Sequence, residues 1–418
     1  MTDRIEGELP VGWRSSALSD VCEKVSKLEP ITLGRRTFKY VDIGSINGGR
    51  NMVETPQILS VEQAPGRARQ LLKVGDSVFS TVRPYLRNIA WIGDSLDGEI
   101  ASTGFCVIRP NQSLVNSRYL HYFSISDYLL EQVLPLQRGV SYPAVRDKEV
   151  LSTTLPIPPL AEQEKIVELL EDHLSRLDAA IASVRAVRTK ATKFRRSLLH
   201  AAFTGDLINS PVTSWEEKTL GELASLSLGK MLDKKQDKGA NPTPYLRNIN
   251  VRWGRINTND LFKMDIAPTQ LERVSLSHGD VVVCEGGEPG RTAIWTGDQT
   301  IAIQKALHRI RPHATIDSKF LSYFLEREFR GIANHPLFTG TTIKHLPKEK
   351  IASLLLRLPP VEEQRRITAV LEEQLSRLDA TLVVVDAVEK RTSSLRRSLL
   401  HAAFTGKLTE SWREDAHV

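Results

Sequence analysis

Residues 195–205 read RRSLLHAAFTG, and residues 396–406 read RRSLLHAAFTG again. The repeat extends outward from this block. Residues 155–207 align without gaps on residues 356–408 at an offset of 201, and 29 of the 53 positions are identical. LSRLDA, at 174–179 and 375–380, is a second unchanged block. Chance does not produce this, so the chain of 418 residues contains a duplicated element, and a repeat of this length governs any reading of the fold.

Each copy reads as one long helix. It opens on a proline pair, Pro158-Pro159 or Pro359-Pro360, followed by acids in the first turn, Glu162 or Glu362-Glu363. Proline at the entrance and carboxylates near the positive end of the helix dipole are start signals. No Pro or Gly interrupts either copy before Gly205 or Gly406, each a natural C-cap. An apolar heptad seam follows, with steps of four and three. The first helix gives Ile166, Leu170, His173, Leu177, Ala180, Val184, Val187, Ala191, Phe194, Leu198 and Ala201. The second gives Ile367, Leu371, Gln374, Leu378, Thr381, Val385, Val388, Thr392, Leu395, Leu399 and Ala402. Sustained heptads predict a coiled coil of about 44 residues per strand, roughly 66 Å long. His200 and His401 sit in the apolar helix ends and are expected to pack or to line the coil.

Connectivity and charge favour antiparallel pairing. The segment between the helices starts near Trp215, about ten residues after the first helix ends, and must finish where the second begins. Antiparallel packing brings those points to the same end. Residues 160–180 carry six acids and two bases, and 181–204 carry six bases and no acids. Residues 361–381 carry five acids and three bases, and 382–405 two acids and four bases. Antiparallel packing sets acidic halves against basic halves, although such charges also serve simply to solvate outer faces. The expected arrangement is a rod with a module at each end and a pseudo-twofold axis across its middle.

The segments before each helix repeat more faintly. Trp13 with LSDV matches Trp215 with LGEL, V-G-D-S-V at 74–78 matches H-G-D-V-V at 278–282, and Arg109-Pro110 matches Arg311-Pro312. Gly139 matches Gly340. β-rich runs lie at 39–46, 76–82, 88–92 and 103–110, with counterparts at 245–251, 280–284, 292–296 and 306–312. A helical stretch follows in each, at 117–134 and 318–333. The fold class is α+β: two mixed α/β modules separated by a long two-helix antiparallel coiled coil. The expected boundaries are 1–155, 156–208, 209–356 and 357–418.

Bases cluster at loop positions. They are Arg35-Arg36, Arg67 and Arg69, Arg83 and Arg87, and Arg138 in the first module, and Lys230, Lys234-Lys235, Lys238, Arg252, Arg255, Arg291 and Lys344 in the second. Such clusters suit phosphates and guanine edges, while any single one also serves as a solvated surface residue. A net charge of +6 and a pI of about 9.1 lean toward an anionic partner.

Several chemistries lack their signatures. Cys22, Cys106 and Cys284 are far apart with no C-x-x-C pair, so buried free thiols are expected rather than disulfides or zinc. MTDRIEGELP has no apolar leader segment, and no run approaches a membrane span, which makes a cytoplasmic protein the expectation. GGEPGRT at 286–292 fails P-loop spacing. NPTPY at 241–245 superficially resembles the Asn-Pro-Pro-Tyr element of adenine-N6 methyltransferases but has an extra residue and no accompanying Gly-rich loop. It reads as a proline turn before a strand. A reader rather than a catalyst is the expectation. A fused methyltransferase, a coiled-coil scaffold whose end modules bind protein, and a free-standing DNA-binding regulator stay open.

Two variable modules separated by near-identical helices, opening PPLAEQ (158–163) and PPVEEQ (359–364) and closing RRSLLHAAFTG, resemble the specificity subunit of type I restriction–modification systems. GDSVFSTVRPYLRN at 75–88 and the G-V-S and G-T-T steps before each coil also look like family features. The resemblance covers essentially the whole chain. It implies two target-recognition domains, each reading half of a split sequence in double-stranded DNA. The helices would act as a ruler and dock two methyltransferase subunits, with motor–nuclease restriction subunits completing the complex. Adenosylmethionine, ATP and magnesium would belong to those partners, with no cofactor, metal or membrane bound by this chain. The candidate DNA-binding residues are Arg35, Arg36, Arg83, Arg87, Arg138, Ser141 and Tyr142, and Lys230, Lys234, Lys235, Arg291, Thr341, Thr342 and Lys344. The tail after Gly406 is about a dozen residues long. It is expected to pack beside the N-terminal segment, since Glu410-Ser411-Trp412 faintly echoes the entries at Trp13 and Trp215.

Overall fold

The structure, a computed structural model, describes residues 9–210, 212–232 and 239–416. The chain divides into two compact units: residues 1–184 with 386–418, and residues 185–385. The two long helices are Leu160–Phe203 and Val361–Phe404, each of 44 residues. Gly205 (φ 79°) and Gly406 (φ 76°) follow them in the left-handed conformation. A Cβ at Gly406 would lie 2.3 Å from the Pro10 ring, so this turn needs glycine for space as well as for φ.

In the first unit, Ile166, Leu170 and Leu174 share a core with Leu400, Ala403 and Phe404. In the second, Leu198, Leu199 and Phe203 share one with Ile367, Leu371 and Leu375. In both units, then, the start of one helix packs against the end of the other, the antiparallel arrangement expected from connectivity. Asp178 pairs with Arg396 in the first unit, and Asp379 with Arg195 in the second. These are the same two repeat positions with the helices exchanged.

The seam itself needs correction. Ile166, Leu170, Leu177, Val184, Ala191 and Leu198 face inward as expected, but the alternate positions lie one residue later, at Leu174, Ile181, Arg188, Arg195 and Ala202. The second helix repeats the shift at Leu375, Leu382, Glu389, Arg396 and Ala403. Phe194 is 49% exposed while Arg195 is 8% exposed. Choosing seam residues by hydrophobicity placed Phe194 and Leu395 inside. The arginine wins because its long stem packs and its guanidinium reaches a carboxylate across the seam. The same rotation leaves His200 and His401 exposed rather than packed.

The modules carry the strands expected of them. The run at 39–46 breaks after Thr37–Val41, where Asp42 caps a short turn through Ser45 N (3.0 Å). The helical stretch at 117–134 breaks into Ser117–Ile125 and Asp127–Val133, with Ser126 capping the second part. NPTPY is not a turn before a strand but part of the strand itself, Pro242–Leu246. Around it lies a three-stranded sheet, and in the first unit Thr37–Val41 lies in a four-stranded one. Ile100–Ser102 and Ala302–Ile303 run parallel to these equivalent strands. The largest sheet of each module contains the antiparallel pair Ser77–Ser80 with Phe105–Pro110, or Val281–Cys284 with Leu307–Pro312. Cys106 and Cys284 are buried and Cys22 half-buried, all three free, as expected, and burial pushes the Cys22 thiol up to about 12.

The faint repeats prove to be contacts. Arg109 holds Asp76 through two hydrogen bonds of 2.8 and 2.7 Å, and Arg311 holds Asp280 through two of the same lengths. Trp13 donates its indole N–H to Glu162 at 2.9 Å, and Trp215 donates to Glu363 at 3.2 Å. Gln163 accepts from Asn116 N at 2.7 Å and donates to Pro158 O at 2.9 Å. Gln364 accepts from Asp317 N and donates to Pro359 O, both at 2.8 Å. The E-Q of the helix-opening motif is therefore the attachment of each helix to its module.

The tail packs beside the N-terminal segment, as expected, although Arg413 rather than Trp412 makes the contact. Its guanidinium pairs with the buried Glu162 carboxylate and lies 5.7 Å from the Trp13 ring, and Thr409 donates to Glu162 at 2.7 Å. Arg413→Ala leaves that carboxylate buried without its charge partner, at a cost of about 3–5 kcal/mol. Denaturant unfolding should show this loss, and Glu162→Gln in the same background should restore part of it.

His121 is buried, accepts or donates to Ser77 Oγ at 3.0 Å, and has its pKa pushed down to about 3 by burial. The unfolded chain binds this proton below about pH 6.5 and the folded chain does not. Stability is therefore complete above that pH and falls as pH drops, by about 2 kcal/mol at pH 5. Unfolding midpoints measured at pH 7 and pH 5 should show this loss, and His121→Phe should remove the share that His121 contributes.

Candidate nucleic-acid interface

Equivalent loops project from the two modules. In the first, Arg138 and Ala144 close residues 139–143 with a reciprocal pair of backbone hydrogen bonds, both 2.9 Å. In the second, Thr339 and His345 close residues 340–344 with bonds of 2.8 and 2.9 Å. Val145 N then bonds to Thr81 O at 2.9 Å, and Leu346 N to Glu285 O at 2.7 Å, which ties each loop to the adjoining sheet. Gly139 (φ 93°) and Gly340 (φ 88°) start the loops in the left-handed region. A Cβ at Gly340 would lie 2.2 Å from Ile343 O, so glycine is required there on both counts. His308 reinforces the second anchor: its Nε2 donates to Leu346 O at 2.7 Å, and burial pushes its pKa down, keeping the ring neutral.

A second loop lies beside each. Arg83 (φ 49°) and Arg87 (φ 55°) both take the left-handed conformation in the turn 81–88. In the second module the corresponding positions are Gly287 (φ 78°) and Gly290 (φ 87°). The backbone turn is shared, and the first module builds it with arginines at about 1–2 kcal/mol per residue. Arg87 pairs with Asp127 and donates to Ile125 O at 3.4 Å. Arg83 lies 4.7 Å from the Tyr142 ring centroid and donates to Ser141 O at 3.2 Å.

The expected DNA-binding residues thus fall into groups. Arg83, Ser141 and Tyr142 come together, with Arg138 at the base of the same loop, paired to Glu149 at 2.8 Å. Thr341, Thr342 and Lys344 share the second loop. Arg35 lies elsewhere and is held by Glu99 (2.6 Å) and Gly98 O (2.9 Å), with Arg36 exposed beside it. Lys230 donates to Gln270 at 2.8 Å. Arg291 is turned inward, bonding to Asn248 O at 2.6 Å and to Glu288 at 3.0 Å. Lys234 and Lys235 lie outside the described residues. Reading by charge passed over Val140, 99% exposed, and Ile343, 63% exposed, at the loop tips. The offset of 201 marks Ile343 as the counterpart of Tyr142.

The sequence matches the family model described as "Type I restriction modification DNA specificity domain" twice, over residues 10–183 and 213–382. This chain belongs to the type I restriction–modification DNA specificity family. It is a specificity subunit with two target-recognition domains. It is 24% identical over 430 residues to the StySPI specificity subunit of Salmonella potsdam, covering 98% of this chain and 92% of that one. It is 26% identical over 330 residues to the EcoKI specificity subunit of Escherichia coli K12, covering 76% and 71%. A chain from a structural study of complex assembly and conformational transition of the type I R-M system superposes with a TM-score of 0.80 at 28% identity, covering 95% of this chain and 99% of that one. The HsdS subunit of Thermoanaerobacter tengcongensis gives 0.54 at 27% identity, covering 96% and 99%. Among the described residues no helix is long and apolar enough to cross a membrane, and no group of three or more His, Cys, Asp or Glu is placed to hold a metal ion.

Gly340→Ala should distort the second loop without unfolding the module, because the closing bonds flank it. We expect a thermal midpoint within a few degrees of wild type, together with a loss of at least tenfold in affinity for target DNA in a titration of the assembled complex.

Proposed function

We propose that each target-recognition domain, within residues 1–155 and 209–356, reads one half of a bipartite double-stranded DNA site. The long helices set the distance between the halves and dock two methyltransferase subunits. The chain itself is non-catalytic and cytoplasmic. Adenosylmethionine is held by the methyltransferases, and ATP and magnesium serve the motor–nuclease subunits that complete the complex.

The observation that carries this reading is the pair of equivalent loops on a shared skeleton with different tips. Two readers with one backbone plan and different exposed residues suit two different half-sites. The helices supply a matching pair of partner surfaces. Val187 and Phe194 are exposed in the second unit, and Val388 and Leu395, at the same repeat positions, in the first. Two like apolar patches suit two copies of one partner.

Methylome sequencing of a host expressing the cognate methyltransferase with and without this chain tests the proposal. A split adenine-methylated motif should appear only when the chain is present. Unchanged methylation, or a single continuous motif, would overturn it.

A further inference from the structure

The two loop tips differ in one informative way. Tyr142, 71% exposed, has the Arg83 guanidinium over its ring. At the equivalent place the second module has Ile343, Gly287 stands where the first has Arg83, and the turn's own Arg291 is engaged by Asn248 O and Glu288. Ile343 instead borders an open hollow of about 650 Å³, lined also by Phe329, Ile332, Phe338 and the Lys344 side of the loop. Phe329 and Phe338 stack with centroids 5.6 Å apart and give the hollow an aromatic, apolar side. The loop is held at its base by the backbone pair at Thr339 and His345 and by the Leu346 anchor, so the isoleucine is presented at a defined position.

An exposed apolar side chain on a surface that meets DNA has one apolar partner on the base edges of the major groove, the C5 methyl of thymine. Resting on the DNA-reading function proposed above, we infer that Ile343 is a specificity-determining residue that contacts a thymine methyl in the half-site read by the second module. Lys344, next in the chain, supplies a phosphate contact that positions it. The first module, with its aromatic tip under a cation, makes no such contact through Tyr142.

The test uses the chain assembled with its methyltransferase and duplexes of the methylated site in which each thymine in turn is replaced by uracil, which lacks only the methyl group. The second module's half-site is the one whose reading Gly340→Ala weakens. One uracil there should lower affinity about fourfold, the effect of one buried methyl-sized group. Ile343→Ala should bind the thymine and uracil duplexes equally, while the wild-type complex keeps the difference. The inference is overturned if that half-site contains no A·T pair, if uracil is tolerated at every position in it, or if Ile343→Ala still distinguishes the two bases. Failure of the underlying reading shows separately, as the absence of any split site for the wild-type complex.

Discussion

A buried glutamine at the first turn of each long helix is the attachment on which the rest depends. Gln163 and Gln364 each satisfy a backbone N–H of the module and the carbonyl that precedes the helix, and both are fully buried. A carboxamide can do both at once because it carries a donor and an acceptor on one rigid plane. With the neighbouring carboxylate holding a tryptophan indole, the helix start and the module become one packed body. An unsatisfied amide at that depth would cost the module the contact that orients it.

The ion pairs inside the modules work in the same sense. Asp76 with Arg109, and Asp280 with Arg311, join the turn before one strand to the neighbouring strand, with both oxygens engaged. Paired in this way, a buried charge sets geometry more than it adds stability. That leaves the exposed loops free to differ without disturbing the frame. The contrast between Arg83 and Arg87 on one side and Gly287 and Gly290 on the other shows it: the same turn is built from different residues.

The conformational cost at Arg83 and Arg87 is informative about function. Arg87 is held by Asp127 and by Ile125 O, which gives it a structural role. Arg83 reaches the loop tip and covers Tyr142, and these side-chain contacts add to the backbone pairing that joins residues 81–83 to residues 143–145. A left-handed arginine persists where its side chain contributes more than the backbone loses.

Much of this was legible in the sequence. The repeat at an offset of 201, the helix limits and the antiparallel direction follow from identity, punctuation by Pro and Gly, and chain connectivity, all of which are local or one-dimensional. The strands were legible as short β-rich runs between turn signals. The side of each helix that turns inward was decided only by tertiary packing. Hydrophobicity placed Phe194 in the seam, but Arg195 occupies it because Asp379 and Glu326 wait there, at positions far away in the chain. For the same reason charge alone could not tell Arg35 and Arg291, held by partners of their own module, from Arg83 at a loop tip. Sequence determines which residues are available and in what order; whether a guanidinium faces a carboxylate or solvent is settled by which distant segments fold against it.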